Sequence, residues 1–172
     1  KQMSKKIIIT GGLGYIGSEL CKLYSGYSWH HKVIVVDNRF ISERVNQIRN
    51  WNIEYFHGDI LDKDFVKKHF KDADIIHHLA GITDVPRTKS QSDLEKDRQI
   101  KIVAEKGTQN ILDIINDKCK IIFPSTHVVY EGINKVKTDI KEEENTQPVL
   151  SYSSSKAFNE KQLKESGKNY VI

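Results

Sequence analysis

The sequence predicts a doubly wound α/β fold, a parallel sheet with helices on both faces. Two observations carry that expectation. Five short apolar runs rich in β-branched residues alternate with segments of helical pattern, and the first run passes straight into a glycine-rich stretch that opens a helix. Strands in this order need crossover connections, and a right-handed crossover lays its helix back on the sheet. The sheet is therefore parallel, and its strands read as continuous apolar runs because both faces are covered.

The elements follow in order. "KIIIT" (6–10) reads as a strand, 15–26 as a helix, "KVIVVD" (32–37) as the second strand and 41–50 as the second helix. "IEYFH" (53–57) is the third strand, followed by a helix over 62–71 whose opening "DKDF" carries a capping signal. "DIIHHLA" (74–80) is the fourth strand, a long helix spans about 93–117, and "KIIFPS" (120–125) is the fifth strand. The polar stretch "EGINKVKTDIKEEENTQP" has little periodicity and reads as a loop, after which "SYSSSKAFNEKQLKESG" resumes a helical pattern. "KNYVI" reads as the opening of a sixth strand with nothing after it, the pattern expected of a fragment of a longer protein.

Composition excludes several classes. A chain of 172 residues fits one domain that needs no metal or disulfide to hold its core. Lys and Arg exceed Asp and Glu by 27 to 23, with the lysines scattered, so a nucleic-acid partner is not expected. No apolar run nears the roughly 18 residues of a membrane span. The basic start flows into a strand and glycine instead of a signal-peptide cleavage site. Cys21 and Cys119 are too far apart for a CxxC or zinc framework and read as core thiols in a reducing, cytoplasmic setting. His77 and His78 read as packed strand residues, with no second cluster of ligands, so no metal is expected.

Gly11, Gly14 and Gly17 form GxxGxxG between a strand and a helix. Backbone without Cβ can turn tightly there and let a pyrophosphate approach the amides at the positive end of the helix. The same glycines also suit a merely flexible turn. Asp37 ends the second strand about 20 residues on, where a carboxylate can accept from an adenosine ribose. It would repel a 2′-phosphate, which favours NAD, while Arg39 keeps NADP open; a strand-ending Asp in a turn is the alternative. Tyr152 and Lys156 stand four apart on a helix, one turn from each other on one face. An ammonium there, with a cationic nicotinamide, favours phenolate and makes Tyr152 a proton acceptor; an ordinary amphipathic surface gives the same spacing.

"TGGLGYIG" (10–17), "VVDN" (35–38), "GDI" (58–60), "HLAG" (78–81), "STHVVY" (125–130) and "YSSSK" (152–156) stand in one order along the chain. On these motifs it resembles the extended short-chain dehydrogenase/reductase family, whose members include nucleotide-sugar epimerases and dehydratases. The likeness covers essentially all of the chain. It implies a Rossmann sheet of order 3-2-1-4-5-6 and a dinucleotide-binding domain over 1–172, cut at strand six, with the C-terminal substrate domain absent. It implies Tyr152 as catalytic acid/base, Lys156 as its tuning group and ribose ligand, and Thr126, at the end of the fifth strand, as the hydroxyl partner. Cofactor contacts are implied at Gly11, Gly14, Tyr15, Ile16 and Gly17, at Asp37 and Asn38, at Asp59 and Ile60 beside the adenine, at Leu79, Ala80 and Gly81, and at Tyr152 and Lys156 themselves. The family's dimers form through the two long helices, near 93–117 and 152–166.

Three departures bear on the reaction. The family's 4,6-dehydratases carry an acid pair after the Ser/Thr position, where this chain has His127 and Val128, and valine transfers no proton. His127, next to Thr126 on a strand, is expected to point to the opposite face and be structural. Ala104 stands where family members often carry Asn, and "YEG" (130–132) replaces a Tyr-Gly pair. The expected activity is an NAD-dependent nucleotide-sugar epimerase, which takes a hydride from a sugar carbon and returns it on the other face. A nucleotide-sugar or keto-sugar reductase, a dehydratase and a non-catalytic NAD-binding module are the alternatives.

Overall fold

In the computed structural model, which describes residues 3–83 and 93–172, six parallel strands form one sheet in the order β3-β2-β1-β4-β5-β6. The strands are β1 (Lys6–Thr10), β2 (Lys32–Asp37), β3 (Glu54–His57), β4 (Ile75–His78), β5 (Lys120–Ile122) and β6 (Asn169–Val171). The helices are α1 (Tyr15–Tyr24), α2 (Ser42–Asn50), α3 (Lys63–Phe70), α4 (Leu94–Ile102), α5 (Thr108–Ile114) and α6 (Ser151–Glu165). The expected fold class and strand order are both present. The chain order reverses direction between β1 and β4, which opens a crevice at the carboxyl ends of those strands.

Alternate residues of each strand feed different cores. Ile7, Ile9, Val33 and Val35 pack with Leu13, Cys21, Val45 and Ile48 under α1 and α2. Ile8, Ile34, Val36, Ile76 and Ile121 pack with Val66, Phe70, Ile111 and Leu163 under α3, α5 and α6. Two-sided burial is why the strands carry apolar residues without alternation. Cys21 and Cys119 are buried free thiols, as expected of core residues. Burial pushes them up to about 12 and about 11. Asp62 caps α3 as its sequence signal predicts, accepting from the amides of Asp64 and Phe65 at 3.0 Å each.

The long helix expected over 93–117 is divided. A π-helical turn, Val103–Gly107, separates α4 from α5. Its carbonyls are met by amides from α6: Asn159 Nδ2 donates to the Ala104 oxygen at 3.0 Å and Gln162 Nε2 to the Glu105 oxygen at 3.0 Å. Ala104, a departure from the family pattern, thus takes its amide partner from across the helix pair.

Buried polar groups lock this side together. Thr10 Oγ1 accepts the N–H groups of Leu79 at 3.1 Å and Ala80 at 3.0 Å, which uses both lone pairs, so its own proton goes to His78 Nδ1 at 2.9 Å. The ring proton therefore sits on His78 Nε2, which donates to Thr108 Oγ1 at 2.9 Å. Asn159 Nδ2 donates to the same hydroxyl at 3.2 Å. Among the described residues no buried side-chain nitrogen or oxygen lacks a partner. His78 is the packed strand residue that its position in the sequence suggests.

The neutral ring is required. Burial, with the Lys156 charge, pulls the His78 pKa from 6.5 down to about 3. The unfolded chain therefore takes up this proton first as pH falls, and the stability present above pH 6.5 is lost toward pH 3 at about 1.4 kcal/mol per pH unit. His78→Gln will be less stable near neutral pH by about 2 kcal/mol through the hydrogen bond it cannot make, and will lack this share of the acid slope. Urea unfolding of both proteins at pH 7, 6 and 5 measures the two effects; parallel slopes would contradict the buried neutral ring.

Candidate active site

The glycine stretch is shaped by close approach. Gly11 has φ +65°, and a Cβ there would lie 2.8 Å from the Ala80 nitrogen, so only glycine lets the end of β1 reach the turn after β4. At Gly17 a Cβ would lie 2.6 Å from Gly12 Cα and 2.7 Å from the Gly11 oxygen. The first turn of α1 thus rests on the glycine turn itself. Gly14 is the N-cap of α1, whose first turn carries no acidic residue and no side-chain cap, leaving the positive end of its dipole open to an anion. Tyr15 and Ile16 are exposed on that turn.

Asp37 lies at the end of β2, buried, with both oxygens engaged. Oδ2 accepts from the Leu13 amide at 3.1 Å, and Oδ1 accepts from the amide and Nε of Arg39 at 3.0 and 3.2 Å. The carboxylate therefore fixes the glycine turn as well as presenting a charge, a role that spacing alone did not reveal. Next to it, Asn38 Nδ2 donates to Asp59 Oδ2 at 3.3 Å, and Asp59 Oδ1 accepts from the Leu61 amide at 2.9 Å. Arg44, from α2, donates to the Leu13 carbonyl.

One cavity of about 700 Å³ runs along the carboxyl ends of the strands. Gly11, Gly14, Tyr15, Ile16 and Gly17 line one end with Asp37 and Asn38. Asp59 and Ile60, just past β3, line that end too; Leu79, Ala80 and Gly81, past β4, line the middle, and Tyr152 and Lys156 the other end. Arg39, Arg44, Gly58 and Ser125 also line it. Arg44 carried no motif, and Gly58 was visible only as part of "GDI". A second cavity of about 530 Å³, at the opposite end of the strands beside Trp29 and Arg49, holds none of the expected residues.

Lys156 and Tyr152 face this cavity from α6, but their relation differs from the expected one. Lys156 Nζ donates to the Pro124 carbonyl at 2.9 Å and lies 4.4 Å from the centre of the Phe123 ring and 5.9 Å from that of Tyr152. Burial pulls the ammonium down to about 8. Burial also raises the Tyr152 phenol above its ordinary 10. The expected tilt toward phenolate is absent from the protein alone, because desolvation disfavours both charges and no hydrogen bond joins the pair.

Thr126 also needs a correction. β5 ends at Ile122, so Thr126 caps a 3₁₀ turn, His127–Tyr130, with Oγ1 accepting from the Val128 amide at 3.4 Å. It sits just past Pro124 and Ser125 and does not line the cavity. His127 is exposed on that turn, so strand alternation does not set its direction. The neighbouring Ser125 donates to Glu160 Oε1 at 2.5 Å, tying this turn to α6.

Comparisons with known proteins bear on the family and the fold. The chain is 30% identical over 170 residues to a dTDP-D-glucose 4,6-dehydratase of Dictyostelium discoideum, covering 89% of this chain and 38% of that protein. It is 29% identical over 175 residues to a UDP-glucose 4-epimerase of Neisseria meningitidis serogroup C, covering 94% and 48%. The chain thus spans less than half the length of these relatives. Among solved structures, the fold superposes with a TM-score of 0.77 on UDP-glucose 4-epimerase from Brucella ovis in complex with NAD, at 24% identity, covering 98% of this chain and 50% of that one. Residues 8–171 match the 3-beta hydroxysteroid dehydrogenase/isomerase family. With the glycine turn, the acidic strand end and the Tyr-Lys helix in one cleft, the chain belongs to that family, as its resemblance to extended short-chain dehydrogenases implies.

Proposed function

We propose that residues 1–172 are the dinucleotide-binding and proton-handling part of an NAD-dependent nucleotide-sugar epimerase. The observation that carries this reading is the shared cavity, in which the glycine turn and Asp37 stand at one end and Tyr152 and Lys156 at the other. The residues fit a dinucleotide. The backbone at Gly11 and Gly14 and the open end of α1 would hold the pyrophosphate, Asp37 the adenosine ribose, and Asp59 with Ile60 would flank the adenine. Asp37 disfavours a 2′-phosphate, although Arg39 pairs with it at 3.2 Å and Arg44 lines the same cavity. When bound, NAD supplies a ring that takes up and returns a hydride.

The chain's own groups handle the proton. In this reading Tyr152 works as the phenolate: Oη takes the proton of the sugar hydroxyl, becoming the phenol, and later gives it back, while Lys156 binds the nicotinamide ribose. The phenol, held above 10 by burial, is a poor base by itself. The Lys156 ammonium, short of solvent and fixed to the Pro124 carbonyl, offers its charge to the phenolate that must form on Oη before that proton is taken. Thr126, next to the cavity-lining Ser125, is proposed as a hydroxyl partner for the sugar oxygen, which requires its turn to close toward the substrate. Dehydration is less well served, since His127 and Val128 stand where an acid pair would be needed.

Two further parts of the reading concern setting. A homodimer through α4, α5 and α6 is supported by the exposure of Leu94 and Phe158 on those helices. Among the described residues no helix is long and apolar enough to cross a membrane. The two buried free thiols support a reducing, cytoplasmic location.

Turnover of UDP- and dTDP-hexoses by the full-length protein tests the assignment. Tyr152→Phe is expected to lower kcat at least 100-fold while leaving the NAD Kd within about threefold. Full activity in that variant would contradict the role given to Oη. Lys156→Met is expected to lower kcat by a similar factor and also to weaken NAD binding about tenfold, because it removes a ribose ligand and a charge together. An unchanged NAD Kd would remove Lys156 from the cofactor site.

A further inference from the structure

The segment between the 3₁₀ turn and α6 is closed at its base. Gly132 N–H donates to the Gln147 carbonyl at 2.8 Å and Gln147 N–H to the Val129 carbonyl at 2.7 Å. Glu131 lies inside that closure, at the place where the chain departs from the Tyr-Gly pattern. Its Oε1 accepts from the amides of Val149 at 2.7 Å and Leu150 at 2.8 Å and from the hydroxyl of Ser153. Leu150 is the N-cap of α6 and brings no polar side chain of its own; its amide is shared between Ser153 Oγ at 3.2 Å and Glu131 Oε1 at 2.8 Å, so Glu131 supplies the shorter bond at the helix entry from 19 residues upstream.

The charge suits the place. A carboxylate at a helix N-terminus is favoured by the dipole and by charge-assisted hydrogen bonds. Burial works against the anion, but the bonds from Ser153, Leu150 and Val149 outweigh it and hold the carboxyl below its ordinary value. These three donors bracket Tyr152, which lies between Leu150 and Ser153 in the first turn. The rest of α6 is fixed by other means: Lys156 by the Pro124 carbonyl, and Asn159 and Gln162 by the π-helical turn. Only the first turn depends on Glu131.

We propose that Glu131 is a positioning residue for Tyr152, pinning the entry of α6 so that the phenol keeps its direction into the cavity. The proposal rests on the reading of Tyr152 as the acid/base group. It makes a separable statement, because the anchor acts on one turn and leaves the dinucleotide end of the cavity untouched.

The test compares Glu131→Ala and Glu131→Gln in the full-length protein by hydrogen exchange, NAD binding and turnover of the sugar nucleotide that Tyr152 acts on. Glu131→Ala is expected to speed exchange of the amides of residues 149–155 at least tenfold, with 157–165 unchanged. It is expected to lower kcat about tenfold with the NAD Kd within twofold. Glu131→Gln keeps an acceptor oxygen and is expected to recover most of both losses, and it serves as the readable variant if the alanine protein does not fold. Unchanged exchange over 149–155, a proportional loss of NAD affinity, or a glutamine variant as impaired as alanine would overturn the proposal. If Tyr152→Phe kept full activity, the reading of the reaction would fail and the positioning role with it, even where exchange revealed the anchor. If Tyr152→Phe were inactive while Glu131→Ala stayed at full speed, only the positioning role would fail.

Discussion

The hydroxyl of Thr10 joins the parts of this molecule that must stay in register. It sits at the end of β1, one residue before the glycine turn, and takes the amides of Leu79 and Ala80 from the end of β4. Through its proton it fixes the tautomer of His78, whose other nitrogen reaches Thr108 at the head of α5, where Asn159 of α6 also arrives. The crevice between β1 and β4 is thereby tied, hydrogen bond by hydrogen bond, to the helix that carries Tyr152 and Lys156. A chain of buried polar groups helps a structure only when every member is satisfied, and that condition is met among the described residues.

The same arrangement imposes a constraint. His78 must stay neutral, because burial, with the Lys156 charge adding to it, disfavours the imidazolium, and Nδ1 already accepts from Thr10. Lys156 is itself partly desolvated, spending its hydrogen bond on Pro124 and its remaining exposure on the face of Phe123. A weakened ammonium and a protonated phenol thus line the cleft together, with the neutral His78 ring buried behind them against Phe123. Such pressure on ionisable groups is characteristic of sites where protons move.

Much of this was legible in the sequence, for identifiable reasons. β1 and β2 announce themselves as unbroken β-branched runs because both faces of a parallel sheet are covered, and Asp62 marks the start of α3 by its capping position. The glycines and Asp37 could be placed on the cleft from their spacing, and "YSSSK" from the four-residue period of a helix. What stayed hidden depends on partners far apart in the chain: Thr10 and His78 are separated by 68 residues, Thr108 and Asn159 by 51. The π-helical turn leaves no mark in a 3.6-residue pattern, and β5 looked longer than it is because "KIIFPS" is apolar up to a proline, which has no N–H for the ladder. That early end of the strand is what moved Thr126 onto a 3₁₀ turn.

We propose that the glycine turn and the acidic end of β2 form a site for NAD in preference to NADP. Calorimetric titration of the full-length protein with each dinucleotide tests it most directly. The expected result is one NAD per chain with a Kd in the micromolar range or below, and binding of NADP at least tenfold weaker, because the 2′-phosphate would face the buried Asp37 carboxylate. Absence of NAD binding, or a preference for NADP, would contradict it.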